Sequence, residues 1–157
     1  MKTKIKWKEL IISVAIPVGV GALSAALTMN TMKDFGQLNQ PPLSPPAWLF
    51  PLVWSILYVL MGVSAYLVCR SDKPSSAKTA LYVYGAQLFF NFLWSIIFFN
   101  MKAYLFAFLW LVALLALVTV NAVLFYRINK SAGLLFIPYI LWVTFAGYLN
   151  FAIYLLN

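Results

Sequence analysis

The 157-residue chain has no histidine, one cysteine and three acidic residues, Glu9, Asp34 and Asp72. It therefore lacks the histidine and cysteine sets that usually hold zinc or iron, and no metal site is expected. The same absences remove Ser/His/Asp and Cys/His nucleophilic constellations, and no two carboxylates share an apolar segment where they could act as general acid and base. Conventional acid/base or metal-ion catalysis is not expected. Cys69 has no partner for an internal disulfide and is expected to pack as a small apolar residue.

Charge is also scarce. Only 9% of the residues are charged, against about a quarter in soluble domains, while 64% are hydrophobic and the mean hydropathy is +0.92. This composition predicts an all-α integral membrane protein whose principal partner is the lipid bilayer. The net charge of +8 does not indicate a nucleic-acid partner, because the basic residues stand at the ends of apolar segments and not on one face interleaved with aromatics. Positive-inside topology accounts for them better.

Five apolar runs, at 10–29, 48–69, 79–100, 103–126 and 134–156, are each about 20 residues or longer, enough to cross the hydrocarbon core as a helix. The first follows Lys2, Lys4, Lys6 and Lys8, but is too long for a signal-peptide core and reads as a retained span. Short connections between the runs predict one five-helix domain over residues 1–157. Counting lysine and arginine in alternate connections puts Lys2, Lys4, Lys6, Lys8, Arg70, Lys73, Lys78, Arg127 and Lys130 on one side and only Lys33 and Lys102 on the other. The amino terminus is accordingly expected in the cytoplasm and the carboxyl terminus outside, with the plasma membrane as the expected location.

The longest connection, 30–46, then lies outside. Its middle, residues 34–38, is expected to form a short helix, and Pro41, Pro42, Pro45 and Pro46 to hold the remainder extended. It leads into an aromatic helix start that carries Trp48, Trp54 and Tyr58. A long loop at such a junction reads as a lid over a binding site; a stiff spacer is the plainer reading of the same prolines.

Helix direction places polar and aromatic groups of three spans at one depth below this loop: Trp54, Ser55 and Tyr58 in the second, Gln87, Asn91, Trp94 and Ser95 in the third, Trp142, Ala146 and Asn150 in the fifth. Trp54 with Tyr58, Gln87 with Asn91, and Trp142 with Ala146 and Asn150 recur four apart, so each set projects from one side of its helix. Amides facing lipid would cost several kcal/mol each, so Gln87, Asn91 and Asn150 are expected to face the bundle interior. Singly, each amide is read more simply as interhelical hydrogen bonding, worth about 0.6 to 2 kcal/mol; together with the tryptophans and the loop they predict a pocket. Asn121, in the inner half of the fourth span, reads as interhelical bonding. Trp48 and Trp110 suit interfacial anchoring. Gly21 with Ala25, and Ala22 with Ala26, permit close packing of the first helix.

These motifs carry a resemblance. Pro45, Pro46, Phe50, Pro51, Val53, Trp54, Leu57 and Tyr58, then Gln87, Asn91 and Trp94, then Pro138, Tyr139, Trp142, Phe145, Ala146, Leu149 and Asn150 make the chain similar to the tryptophan-rich sensory protein or translocator protein family over essentially its whole length. The resemblance implies a five-helix bundle, commonly a homodimer, that binds porphyrins such as protoporphyrin IX and haem, or sterols and benzodiazepine-type ligands, in a pocket closed by the loop. It implies that no cofactor is required and that a porphyrin or another hydrophobic small molecule is the expected ligand. It implies pocket positions at Pro45, Pro46, Trp54, Tyr58, Gln87, Asn91, Trp142, Ala146, Leu149 and Asn150. If porphyrin is degraded in light, as in some bacterial members, Trp54 and Trp142 match the implicated tryptophans. A small-molecule transporter is the remaining alternative. The chain departs from the family pattern at Asp34, Gln40 and Leu43, and the sterol-type motif at the end of the fifth span lacks its basic residue.

Overall fold

In the computed structural model, which describes residues 4–157, the described chain is helical without strands. Five segments are long and apolar enough to cross a membrane: Trp7–Thr28, Leu49–Cys69, Pro74–Asn100, Tyr104–Ile128 and Lys130–Leu156. The helices are α1 (Trp7–Thr28), α2 (Met32–Phe35), α3 (Leu49–Cys69), α4 (Pro74–Ser95), α5 (Tyr104–Ile128), α6 (Lys130–Leu134) and α7 (Ile137–Leu156). Lys2 lies outside the described residues.

Their boundaries follow from local chemistry. Pro74 opens α4 and Pro138 lies in the first turn of α7, where a missing N–H costs nothing. The Asn129 side chain accepts from the Ala132 amide at 3.1 Å and caps α6. The third span ends in a π turn, Ile96–Asn100, whose wider loop is closed by Met101 N donating to Ile96 O at 3.0 Å. That turn delivers Asn100 to the start of the long loop: its amide donates to Leu27 O at 3.1 Å, and its carbonyl accepts from Thr31 Oγ1 at 2.6 Å.

Helix α1 packs on α3, α4 on α5, and α5 on α7; α1 also touches α4 and the π turn. Wholly buried Val68, Ala80, Ala107, Leu114, Val118, Phe125 and Ile153 form the common core. Most of α1 faces outward, with Ile11, Ile12, Leu23 and Leu27 exposed to what is hydrocarbon in a membrane. Two glycines set the closest approaches of α1 and α3. A Cβ on Gly21 would collide with the Tyr58 ring, and one on Gly62 would run into the Val14 backbone. At the second crossing the Ser13 hydroxyl donates to Gly62 O at 2.7 Å.

The two ends of the bundle are chemically distinct. At one, Glu9 pairs with Lys6 at 3.2 Å and Arg70 at 3.8 Å, and the Lys73 ammonium donates to Arg127 O. At the other, the 36–48 segment is tied to α7: Tyr148 donates to Pro42 O at 2.8 Å, and Asn39 and Asn157 exchange hydrogen bonds. Lys102 closes the same end by pairing with Asp34 at 3.2 Å.

Several expectations are corrected. The short loop helix is Met32–Phe35, ahead of 34–38, because its turns are anchored by Thr31, which is held to Asn100. The proline segment is not uniformly extended: Ser44 N donates to Pro41 O and Leu43 adopts a φ of 69°. Leu43 is thereby turned outward, 81% exposed. Cys69 is exposed at the end of α3 and is not a packed core residue. The Trp110 indole donates to Phe90 O at 2.8 Å and its ring stacks on Phe90 at 4.3 Å, which ties α5 to α4. Within the bundle Gly21 makes a close contact on α3, while Ala22, Ala25 and Ala26 lie on the exposed face of α1.

Candidate functional site

Between the loop-side halves of α1, α3 and α7 and the end of the third span lies a cavity of about 450 Å³, within the range of small-molecule sites. It adjoins the Gly21–Tyr58 contact between α1 and α3. Gly21, Ser24 and Thr28 face it from α1, and Phe50, Trp54 and Tyr58 from α3. Trp94, Phe98 and Phe99 close it across the π turn, and Ala146, Leu149 and Asn150 supply the α7 wall.

The aromatic walls are interlocked. Trp54 stacks on Tyr58 with ring centres 5.8 Å apart and lies 6.3 Å from Trp94. Phe35 of α2 sits at the loop end, within 5.9 Å of the rings of Phe50, Phe98 and Phe99. Small Ala146 leaves the space that a larger residue on α7 would occupy.

Of the residues implied by the sequence, Trp54, Tyr58, Ala146, Leu149 and Asn150 line this cavity. Gln87, Asn91, Trp142, Pro45 and Pro46 do not. Gln87 and Asn91 are buried behind Tyr58 in a continuous hydrogen-bond chain. The Tyr58 hydroxyl donates to Asn91 Oδ1 at 3.0 Å, Asn91 Nδ2 donates to the Tyr139 oxygen at 2.7 Å, and the Tyr139 hydroxyl donates to Gln87 Oε1 at 2.7 Å. Gln87 Nε2 lies 3.7 Å from the Met61 sulfur. Their polar capacity is thus largely used in joining α3, α4 and α7. Asn150 is similarly occupied while lining the cavity, accepting from Trp94 Nε1 at 3.1 Å and donating to Tyr104 O at 2.8 Å. Asn121 bridges to Ala80 O at 3.4 Å, between α5 and α4.

Trp142 is set behind Phe50, whose ring centre is 5.9 Å away, and its indole N–H is buried without a partner. Pro45 and Pro46 precede α3, and Pro46 O caps the chain by accepting from Leu49 N at 3.0 Å. The loop's contribution to the cavity comes instead from Met32, Lys33 and Phe35 of α2, with Ala47.

The α1 wall was missed from sequence. The signal was present as Gly21, Ser24 and Thr28, a row at helical spacing whose two hydroxyl residues are buried; among the neighbouring small residues it did not stand apart.

The model of the TspO/MBR family matches residues 13–156. The chain belongs to the TspO/MBR family. It is 40% identical over 138 residues to Protein CrtK of Rhodobacter capsulatus, covering 87% of this chain and 85% of that protein. It is 34% identical over 150 residues to Tryptophan-rich protein TspO of Archaeoglobus fulgidus, covering 95% and 97%. The Translocator protein of Bos taurus is more distant, 27% identical over 148 residues, with 92% and 88% covered. Membership of the TspO/MBR family and five apolar helices together make this an integral membrane protein of the TspO type.

Proposed function

We propose that the cavity binds a flat, largely apolar small molecule, of which porphyrins such as protoporphyrin IX and haem are the leading class. The observation that carries this reading is the aromatic wall, Trp54 stacked on Tyr58 with Trp94 beside it, along about 450 Å³ of space. Planar conjugated ligands gain from such faces beyond simple area burial. With no histidine in the chain, haem would be held by its body and edge groups without imidazole ligation.

The test is quenching of tryptophan fluorescence by protoporphyrin IX in detergent or nanodiscs. Ala146→Trp, which projects an indole into the cavity from the α7 wall, is expected to weaken binding at least about tenfold, equivalent to 1.4 kcal/mol. Trp54→Phe removes an indole from the wall and is expected to reduce quenching as well as affinity. Unchanged binding in Ala146→Trp would sink the assignment to this cavity.

We further propose that the loop end faces outward and the Arg70–Lys73–Arg127 end faces the cytoplasm of a plasma membrane, on the asymmetry of basic residues between the two ends. Alkaline phosphatase fused after Asn157 is expected to be active, and a cytoplasm-only reporter at the same point inactive. The reverse pattern overturns the orientation.

A further inference from the structure

The polar inventory of the cavity narrows the chemistry of what it accepts. Most polar atoms on its walls are already satisfied within the protein: the Tyr58 hydroxyl donates to Asn91, the Trp94 indole to Asn150, the Thr28 hydroxyl to Ser24 O and the Ser55 hydroxyl to Pro51 O. Asn150 has both its oxygen and its nitrogen engaged. Without a hydrogen-bond partner among the described residues are the Trp54 indole N–H, which can only donate, and the hydroxyls of Ser95 and of Ser24, a residue just 5% exposed.

The mouth adds one formal charge. Lys33 of α2 is the charged residue lining the cavity, and it has no carboxylate within ion-pair distance among the described residues. Its neighbour Asp34 is held by Lys102 at 3.2 Å. An exposed ammonium at the rim and a donor-only indole below it form a gradient that favours acceptors, with no free carboxylate on the walls to repel an anion.

We propose that the site selects amphiphiles carrying a carboxylate, with Lys33 pairing with that group at the mouth while the apolar body lies against Trp54. This rests on the reading of the cavity as a site for flat apolar ligands, and adds the polarity of the ligand's outer edge. Lys33 is a specificity-determining residue in this account. It distinguishes an acid from its neutral ester, two molecules whose apolar bodies are nearly the same.

The experiment compares protoporphyrin IX with its dimethyl ester on the purified full chain in phosphatidylcholine nanodiscs. Lys33→Ala is expected to weaken binding of the acid about fivefold, in line with the upper range for an exposed ion pair. Lys33→Glu is expected to weaken it about tenfold or more, because repulsion replaces attraction. Lys33→Arg should retain it. The ester should bind all four proteins alike, and Lys130→Ala, with the same net charge change at the far end, should match the parent. Raising salt should erase the acid's advantage in the parent and leave Lys33→Ala unaffected. If both probes bind but Lys33→Glu leaves the acid's affinity unchanged, or lowers acid and ester equally, the charge pairing is overturned and the cavity reading stands. If the parent binds neither probe, the cavity reading fails and the pairing fails with it.

Discussion

Gly62→Val is expected to cost the bundle about 3 kcal/mol, at the upper end of overpacking penalties. The site has no slack. A Cβ at Gly62 would overlap the Val14 backbone, sit 2.8 Å from Ser13 O and 3.0 Å from Val14 Cγ2. Side chains can rotate away from a new methyl group; a helix backbone has to move as a unit. Separating α1 from α3 would also break the Ser13 hydrogen bond to Gly62 O and widen the Gly21–Tyr58 contact one turn and more above. The damage is therefore expected to spread to the cavity, with ligand affinity falling alongside stability. Gly19 supplies the control, since nothing lies within 4 Å of a Cβ there. Gly19→Ala should leave stability unchanged or raise it by up to about 1 kcal/mol through helix propensity. Thermal melting in detergent, read by size-exclusion chromatography after heating, checks both. A Gly62→Val protein that melts with the parent would show that the helices are not held at this distance.

Such a crossing is hard to read from sequence, and the reason generalises to the rest of the chain. The five spans are legible because crossing hydrocarbon demands about 20 apolar residues, a requirement imposed by the solvent and independent of any partner. The inward direction of Gln87, Asn91 and Asn150 is legible for the same reason: lipid offers an amide nothing. What each interior group meets depends on helix rotation and on the residue opposite. Gly62 and Gly19 look alike in the sequence, yet one touches a backbone and the other touches nothing. Asn91 and Asn150 share helical spacing with aromatic neighbours, but Tyr58 stands between Asn91 and the cavity while Asn150 lines it. The loop shows the same division. Its prolines exclude a long helix, but the turn at Leu43 and the placement of α2 over the cavity come from tertiary ties at Tyr148, Asn157 and Asn100. The π turn at Ile96–Asn100 has no local sequence signature, and without it Phe98 and Phe99 would not be phased to close the cavity with Trp94.

Asn91→Leu is expected to cost about 2 to 3 kcal/mol, more than the usual transmembrane amide, because it strands two partners at once. The Tyr58 hydroxyl loses its acceptor and the Tyr139 oxygen loses its donor, both in a region closed to water. The chain continues through Tyr139 to Gln87, so the bonds polarise one another and single deletions should not add. In a double-mutant cycle, Tyr139→Phe is expected to cost less on the Asn91→Leu background than alone, with a coupling of about 1 kcal/mol. Additivity within measurement error would remove the network. The same variants separate two routes by which Asn91 affects binding. If it acts by holding the Tyr58 ring as a cavity wall, Tyr58→Phe should weaken protoporphyrin IX binding as much as Asn91→Leu, and the double variant should be no worse than either. If Asn91 reaches the ligand itself, Asn91→Leu should weaken binding in the Tyr58→Phe background too. The first outcome is expected, since Asn91 is 1% exposed and both its polar atoms are already bonded to tyrosines.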